Sequence, residues 1–122
     1  MKDQMISIIE DDLSVREAIE ALLNSAGMKY QSFENAEEFL SGFKPCKKDI
    51  LVLDLNLPGM NGCDLLKKLN LDGNKIQVIV TTAFDDPVSR ELCRKNGVKA
   101  FLRKPVDGEA LIDLINFNMI SV

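Results

Sequence analysis

The 122-residue sequence predicts an α/β fold: a five-stranded parallel sheet, doubly wound in the order 2-1-3-4-5, with helices on both faces. Two observations carry this expectation. Five short Ile/Val/Leu-rich runs alternate with amphipathic segments, the sequence form of repeated βαβ units. Most of the runs are apolar without strict alternation, as strands covered on both faces must be.

The first strand is placed at Met5 to Ile9, and the clearest helical period in the chain follows it. Val15, Ala18, Ile19, Leu22, Leu23 and Ala26 share one face, and Gly27 supplies a stop. Tyr30 to Phe33 forms the second strand, the weakest of the five, which belongs at an edge. Ala36, Phe39, Leu40 and Phe43 mark a short second helix that Pro45 ends. Ile50 to Leu53 is the third strand, and Leu65, Leu66 and Leu69 give the third helix its apolar face. After a fourth strand at Gln77 to Thr81, Asp86-Pro87 offers a cap followed by proline at the first helical position. That helix runs from Val88 to Asn96, with Gly97 as terminator. The fifth strand, Ala100 to Arg103, leads to Asp107, which can cap a last helix burying Leu111, Leu114 and Ile115 and ending near Asn118. No repeat, linker or low-complexity stretch interrupts this plan, so residues 1–122 read as one domain with little room for a second module.

Composition narrows the function classes. With 46% hydrophobic and 28% charged residues, the chain is ordinary for a soluble globular protein, and no apolar run approaches the ~20 residues needed to cross a bilayer. The N-terminus turns acidic at Glu10 before a signal-peptide core could form, so a cytoplasmic location is expected. A formal net charge of -4 and a pI near 4.8 disfavour direct nucleic-acid binding by this segment. Cys46, Cys63 and Cys93 lack CxxC spacing and read as reduced thiols. The absence of histidine excludes Ser/His and Cys/His nucleophilic machinery and a histidine base. Chemistry must rest on carboxylates, hydroxyls, lysine or a metal.

In open parallel α/β sheets, ligands bind beyond the carboxyl ends of the strands, near the point where the strand order reverses. Those ends carry Glu10-Asp11-Asp12 after the first strand, Asp54 after the third, Thr82 after the fourth and Lys104 after the fifth. In the order 2-1-3-4-5 the contributing strands are neighbours, so acids, hydroxyl and ammonium converge on one edge. Asp11 and Asp54 with Glu10 close by are a costly set of like charges unless a cation or a proton joins them. All-oxygen donors favour Mg²⁺ (or Mn²⁺), and Mg²⁺ pairs one or two carboxylates with phosphate oxygens. Thr82 and Lys104 would then contact a phosphoryl group that Asp54 accepts. Taken singly, each has an ordinary reading: Asp54 as a turn residue before Pro58-Gly59, Thr82 as a strand residue, Lys104 as a surface lysine before a proline. Their joint placement is not explained that way.

With these residues in hand, the chain resembles the receiver domain of two-component response regulators from about Met5 to Phe117. The resemblance rests on IIEDDLSVR, LVLDLNLPGMNG around Asp54, VTTAF and FLRKP in combination. It implies a phospho-acceptor at Asp54, served by a sensor histidine kinase or phosphotransfer protein. It also implies no enzymatic activity beyond self-catalysed phosphotransfer and autodephosphorylation, with Asn56 and Phe84 beside the attacking water. Aligned to the family pattern, Glu10 and Asp11 form the acidic pair and Asp12 the helix cap; the family often has Asp where this chain has Glu10, which keeps the charge on a longer arm. Asn56 would lend its backbone carbonyl to the metal, Pro58 and Gly62 would shape the loop, and Lys104-Pro105 would form a cis peptide. Thr82 and Phe101 match the family's switch pair, in which the hydroxyl is drawn to the phosphoryl group and the aromatic follows. The output face would be the fourth helix, fifth strand and fifth helix, a face that also serves a homodimer. The stretch DDPVSRELCRKNGVKAFLRKPVDGEAL is similar to receivers that precede helix-turn-helix output domains, which points to transcription regulation.

Three other readings fit less well. A haloacid-dehalogenase-like phosphatase needs a second Asp where Asn56 stands, and its nucleophile on the first strand. A flavodoxin-like FMN carrier shares the sheet order but needs a hydroxyl- and glycine-rich phosphate loop where Glu10-Asp11-Asp12 would repel phosphate. An inert interaction module would be expected to lack part of the set that is intact here.

Overall fold

The computed structural model describes residues 4–42, 49–73, 76–84, 86–98 and 100–120. Strands and helices alternate throughout: β1 (Ile6–Ile9), α1 (Leu13–Ser25), β2 (Tyr30–Phe33), α2 (Ala36–Gly42), β3 (Ile50–Asp54), α3 (Gly62–Leu71), β4 (Gln77–Thr82), α4 (Pro87–Lys95), β5 (Ala100–Arg103) and α5 (Gly108–Ile120). The sheet is parallel in the order β2-β1-β3-β4-β5, so the predicted topology and the edge position of β2 are both observed.

Side-chain alternation along the inner strands splits the core into two layers. Ile6, Ile8, Ile50, Val52 and Ile79 face α1 and α5, where Ile19, Leu23, Leu111 and Ile115 cover them. Ile9, Leu51, Leu53, Val78 and Val80 face the other way, under Phe39, Leu65, Leu66, Leu69 and Cys93 of α2, α3 and α4. Cys63 and Cys93 are free thiols, and burial pushes the Cys93 thiol up to about 11, so it stays protonated at neutral pH.

Helix starts follow the predicted capping chemistry. Val15 N donates to Asp12 Oδ1 at 3.2 Å, Ser89 N to Asp86 Oδ1 at 2.9 Å, and Glu109 N to Asp107 Oδ1 at 3.0 Å. Gly27 and Gly97 take left-handed backbone just past α1 and α4.

Several details differ from the sequence expectation. α4 ends at Lys95, one residue early, and Leu114 is only half-buried. Ala18 and Ala26 are exposed: the stripe that α1 buries is narrower, centred on Ile19 and Leu23. β3 and β4 each run one residue further, making Asp54 and Thr82 the last residues of their strands. β1 begins one residue later, at Ile6. α5 continues to Ile120, past Asn118. Phe43, Pro45 and Cys46 lie outside the described residues. Among the described residues, no helix is long and apolar enough to cross a membrane.

Candidate functional site

The carboxyl ends of the three inner strands and of β5 carry the site. Glu10 follows β1 directly, and its backbone N–H donates to Phe33 O of β2 at 3.1 Å, which holds it in line with the sheet. The residue is 1% exposed. Oε2 accepts from Asp12 N at 3.2 Å, Oε1 lies 2.8 Å from Lys104 Nζ, and Arg16 Nη1 donates to the Glu10 carbonyl at 2.8 Å. Asp54 ends the central strand and is 3% exposed. Its Oδ1 accepts from Asn56 N at 3.1 Å, and its Oδ2 lies 3.3 Å from the same Lys104 ammonium.

Lys104 reaches both acids because its own backbone is fixed: its N–H donates to Thr82 O at 2.7 Å, and the Lys104–Pro105 peptide is cis. Burial raises the Glu10 pKa above its ordinary value, more than the bond from Lys104 lowers it, and the neighbouring Asp54 charge adds to the rise. Burial by itself would lower the Lys104 pKa, but Glu10 and Asp54 together outweigh it and hold the ammonium charged.

Carboxylate oxygens of Glu10, Asp11 and Asp54 lie within 4.8 Å of one another, with Asp11 exposed at the mouth. The Lys104 ammonium pairs with two of the three carboxylates, Glu10 and Asp54, so with all three ionised the cluster carries excess negative charge. An all-oxygen, partly open donor set of this kind fits a hard divalent cation such as Mg²⁺.

The loop after Asp54 is closed by a tight neck. Gly62 N donates to Leu55 O at 3.0 Å, and a Cβ at Gly62 would stand 2.8 Å from Leu55 Cα and 3.0 Å from Asp54 O. Asn61 then caps α3 through Asp64 N at 3.0 Å.

The Thr82 hydroxyl turns to the segment after β4, and Phe101 lies under α4. Thr82 Oγ1 donates to Phe84 O at 2.8 Å and accepts from Phe84 N at 3.1 Å and Asn56 Nδ2 at 3.4 Å; its bonds do not run to Asp54. Phe101 is half-buried on β5, paired in register with Val80, and the Arg90 guanidinium of α4 lies 4.8 Å over its ring. A groove of about 480 Å³ opens beside it, between α4 and β5. Phe84 is 72% exposed, near the site's rim.

Sequence reasoning gave no role to Glu37 or Arg90. Glu37 accepts a backbone bond from Met60 across the loop after Asp54. An acid in the first turn of a helix is ordinary, and nothing in the pattern marked it.

The sequence profile of the response regulator receiver domain matches residues 6–116. The transcriptional regulatory protein FixJ of Azorhizobium caulinodans is 34% identical over 114 residues, which cover 93% of this chain and 54% of that protein. The DNA-binding transcriptional regulator NtrC of Salmonella typhimurium is 30% identical, over 94% of this chain and 24% of its own length. The chain thus spans about half, or less, of the curated relatives it matches. Among solved structures, the response regulator StyR superposes with a TM-score of 0.89 at 34% identity, covering 98% of this chain and 61% of StyR. The N-terminal part of FixJ superposes at 0.85 with 27% identity, over 100% of this chain and 98% of that one. The chain belongs to the response regulator receiver domain family, the signalling switches of two-component systems.

Proposed function

We propose that this domain, read as a single unit over residues 1–122, accepts a phosphoryl group on Asp54 from a sensor histidine kinase or phosphotransfer protein. The observation that carries the reading is the Lys104 ammonium shared between Glu10 and Asp54 within a cluster of three carboxylates. In the transfer, an Asp54 carboxylate oxygen bonds to phosphorus as the donor's phosphorus–nitrogen bond breaks, and the departing imidazole keeps the electron pair and takes a proton. Glu10, Asp11, Asp54 and the backbone carbonyl of Asn56 would hold Mg²⁺ (or Mn²⁺), which when bound neutralises charge on the transferring oxygens. Lys104 supplies the protein's own cation to the same oxygens. Thr82 gives up its bond to the Phe84 carbonyl for a phosphoryl oxygen, and Phe101 follows, changing the face made by α4, β5 and α5. Hydrolysis by a water beside Asn56 and Phe84 returns the domain to its starting state.

The names of FixJ and NtrC as transcriptional regulators support an output in transcription. That output would run through the α4–β5–α5 face, by homodimerisation or a partner, in the cytoplasm and without nucleic-acid contact by this domain. The test is acetyl phosphate with Mg²⁺, followed by intact mass, beside Asp54→Asn and a metal-free control. The expected result is a single phosphoryl adduct that needs both the metal and Asp54. A folded wild type that takes no adduct, even with its kinase, would replace this reading with that of an inert interaction module.

A further inference from the structure

We propose that Glu37 is a positioning residue for the phosphoryl and metal site, acting from α2 on the loop that follows Asp54. The inference rests on the reading of Asp54 as acceptor and of the Asn56 carbonyl as a cation ligand.

Residues 55–62 leave the sheet at Asp54 and return at the start of α3. The base of this loop is held by Leu55 N donating to Thr81 O at 3.1 Å and by the Gly62 neck. Leu55 and Leu57 are buried, and Asn56 N is bonded to Asp54 itself. The apex, Pro58-Gly59-Met60, lies further out and meets α2 instead of the sheet. There Met60 N donates to Glu37 Oε2 at 3.0 Å. Gly59 has φ +70°, and a Cβ added to it would stand 2.9 Å from the same Glu37 oxygen. The backbone bond and the close approach are separate observations, and both put the carboxylate hard against the apex.

The helix that presents Glu37 is itself anchored. Ala36 and Phe39, on either side of it in sequence, are fully buried, and Asn35 caps the helix by accepting from Glu38 N at 2.8 Å, while Glu38 Oε1 accepts from Glu34 N at 3.1 Å. Glu37 therefore holds the loop from a fixed base. A carboxylate accepts a backbone N–H more strongly than a neutral oxygen does. Without it, the apex loses its tie to α2, and the change reaches Asn56 through the single residue between them, Leu57. A metal ligand has to be held to within about 0.5 Å to work, so freeing the apex lowers cation affinity before it affects the fold. Linkage requires the reverse effect: a cation in the site tightens the Met60–Glu37 bond.

The test uses the whole ¹⁵N-labelled chain as wild type, Glu37→Ala and Glu37→Gln. Met60 amide exchange is measured without metal; Mg²⁺ is then titrated without phosphodonor, following the Asn56 and Met60 amides. Acetyl phosphate labelling is run at limiting and at saturating Mg²⁺. For Glu37→Ala we expect lost Met60 protection, Mg²⁺ binding weakened roughly tenfold, as for other groups that orient metal ligands, and slow labelling only where metal limits. Glu37→Gln, whose amide oxygen accepts the same bond, should recover most of this. Wild-type Mg²⁺ affinity in Glu37→Ala would overturn the proposal. So would a Gln variant as impaired as Ala, since the effect would then come from charge and not from the bond. A wild type that binds no Mg²⁺ and takes no phosphoryl group would overturn the underlying site reading instead, a failure visible before any substitution is made.

Discussion

Gly62 shows how little space surrounds Asp54. A methyl group there would press on Leu55 Cα and on the Asp54 carbonyl, backbone that has no rotamer to yield. Gly62→Ala should cost about 1–3 kcal/mol, the usual range for overpacking a tight site. Urea unfolding would read this as a lower midpoint, and acetyl phosphate labelling should slow because the strand end carrying Asp54 must shift. An unchanged midpoint would mean that the loop yields more easily than the distances imply. Gly62 was legible in sequence only through the family resemblance, whereas Asp54 and Lys104 were legible because each follows an apolar run. Glu37 was not: its partner lies 23 residues away, on a loop whose placement only the packed sheet decides. The direction of the Thr82 hydroxyl was equally hidden, since a strand end fixes where a side chain starts but not which neighbour it bonds.

At the scale of elements, α4 combines what could be read with what could not. Its cap, its first-turn proline and its terminal glycine are local signals, and all three are in place. The contact of Arg90 with Phe101 depends on how α4 is rotated over β5, which its apolar pattern does not specify. The start of this helix should also respond to acid. Hydrogen bonds from the Ser89 N–H and hydroxyl hold the Asp86 carboxyl below its ordinary value of 3.8. A depressed carboxyl pKa means that the cap contributes at neutral pH and that its contribution fades as the pH falls through the lowered value. In an NMR titration the Ser89 amide should shift with Asp86 below 3.8, and Asp86→Asn should keep the cap while abolishing that titration. A Ser89 amide that does not move would show that the bond is not formed in solution. The α1 periodicity was a partial guide: it marked the right face but made it too wide, since Ile19 and Leu23 are buried and Leu22 packs close to Gly108 of α5 while Ala18 and Ala26 stay exposed.

For the molecule as a whole, the order of the sheet sets the order of stability. β3 lies at the centre with β1 and β4 beside it, and these strands are almost wholly buried, whereas β2 and β5 are half-buried edges. Native-state hydrogen exchange should therefore find β1, β3 and β4 opening only with global unfolding, and β2 and β5 opening earlier. Equal protection across all five strands would argue for a single cooperative unit. The arrangement also bears on how the protein is made. Glu10, Asp11 and Asp54 leave the ribosome well before Lys104, so for much of its synthesis the nascent chain holds acids with no lysine among them. On the proposed role of Asp54, the site is complete only once β5 is seated against β4 and brings Lys104 to the acids, and an unfinished or misfolded copy would offer a kinase nothing to phosphorylate.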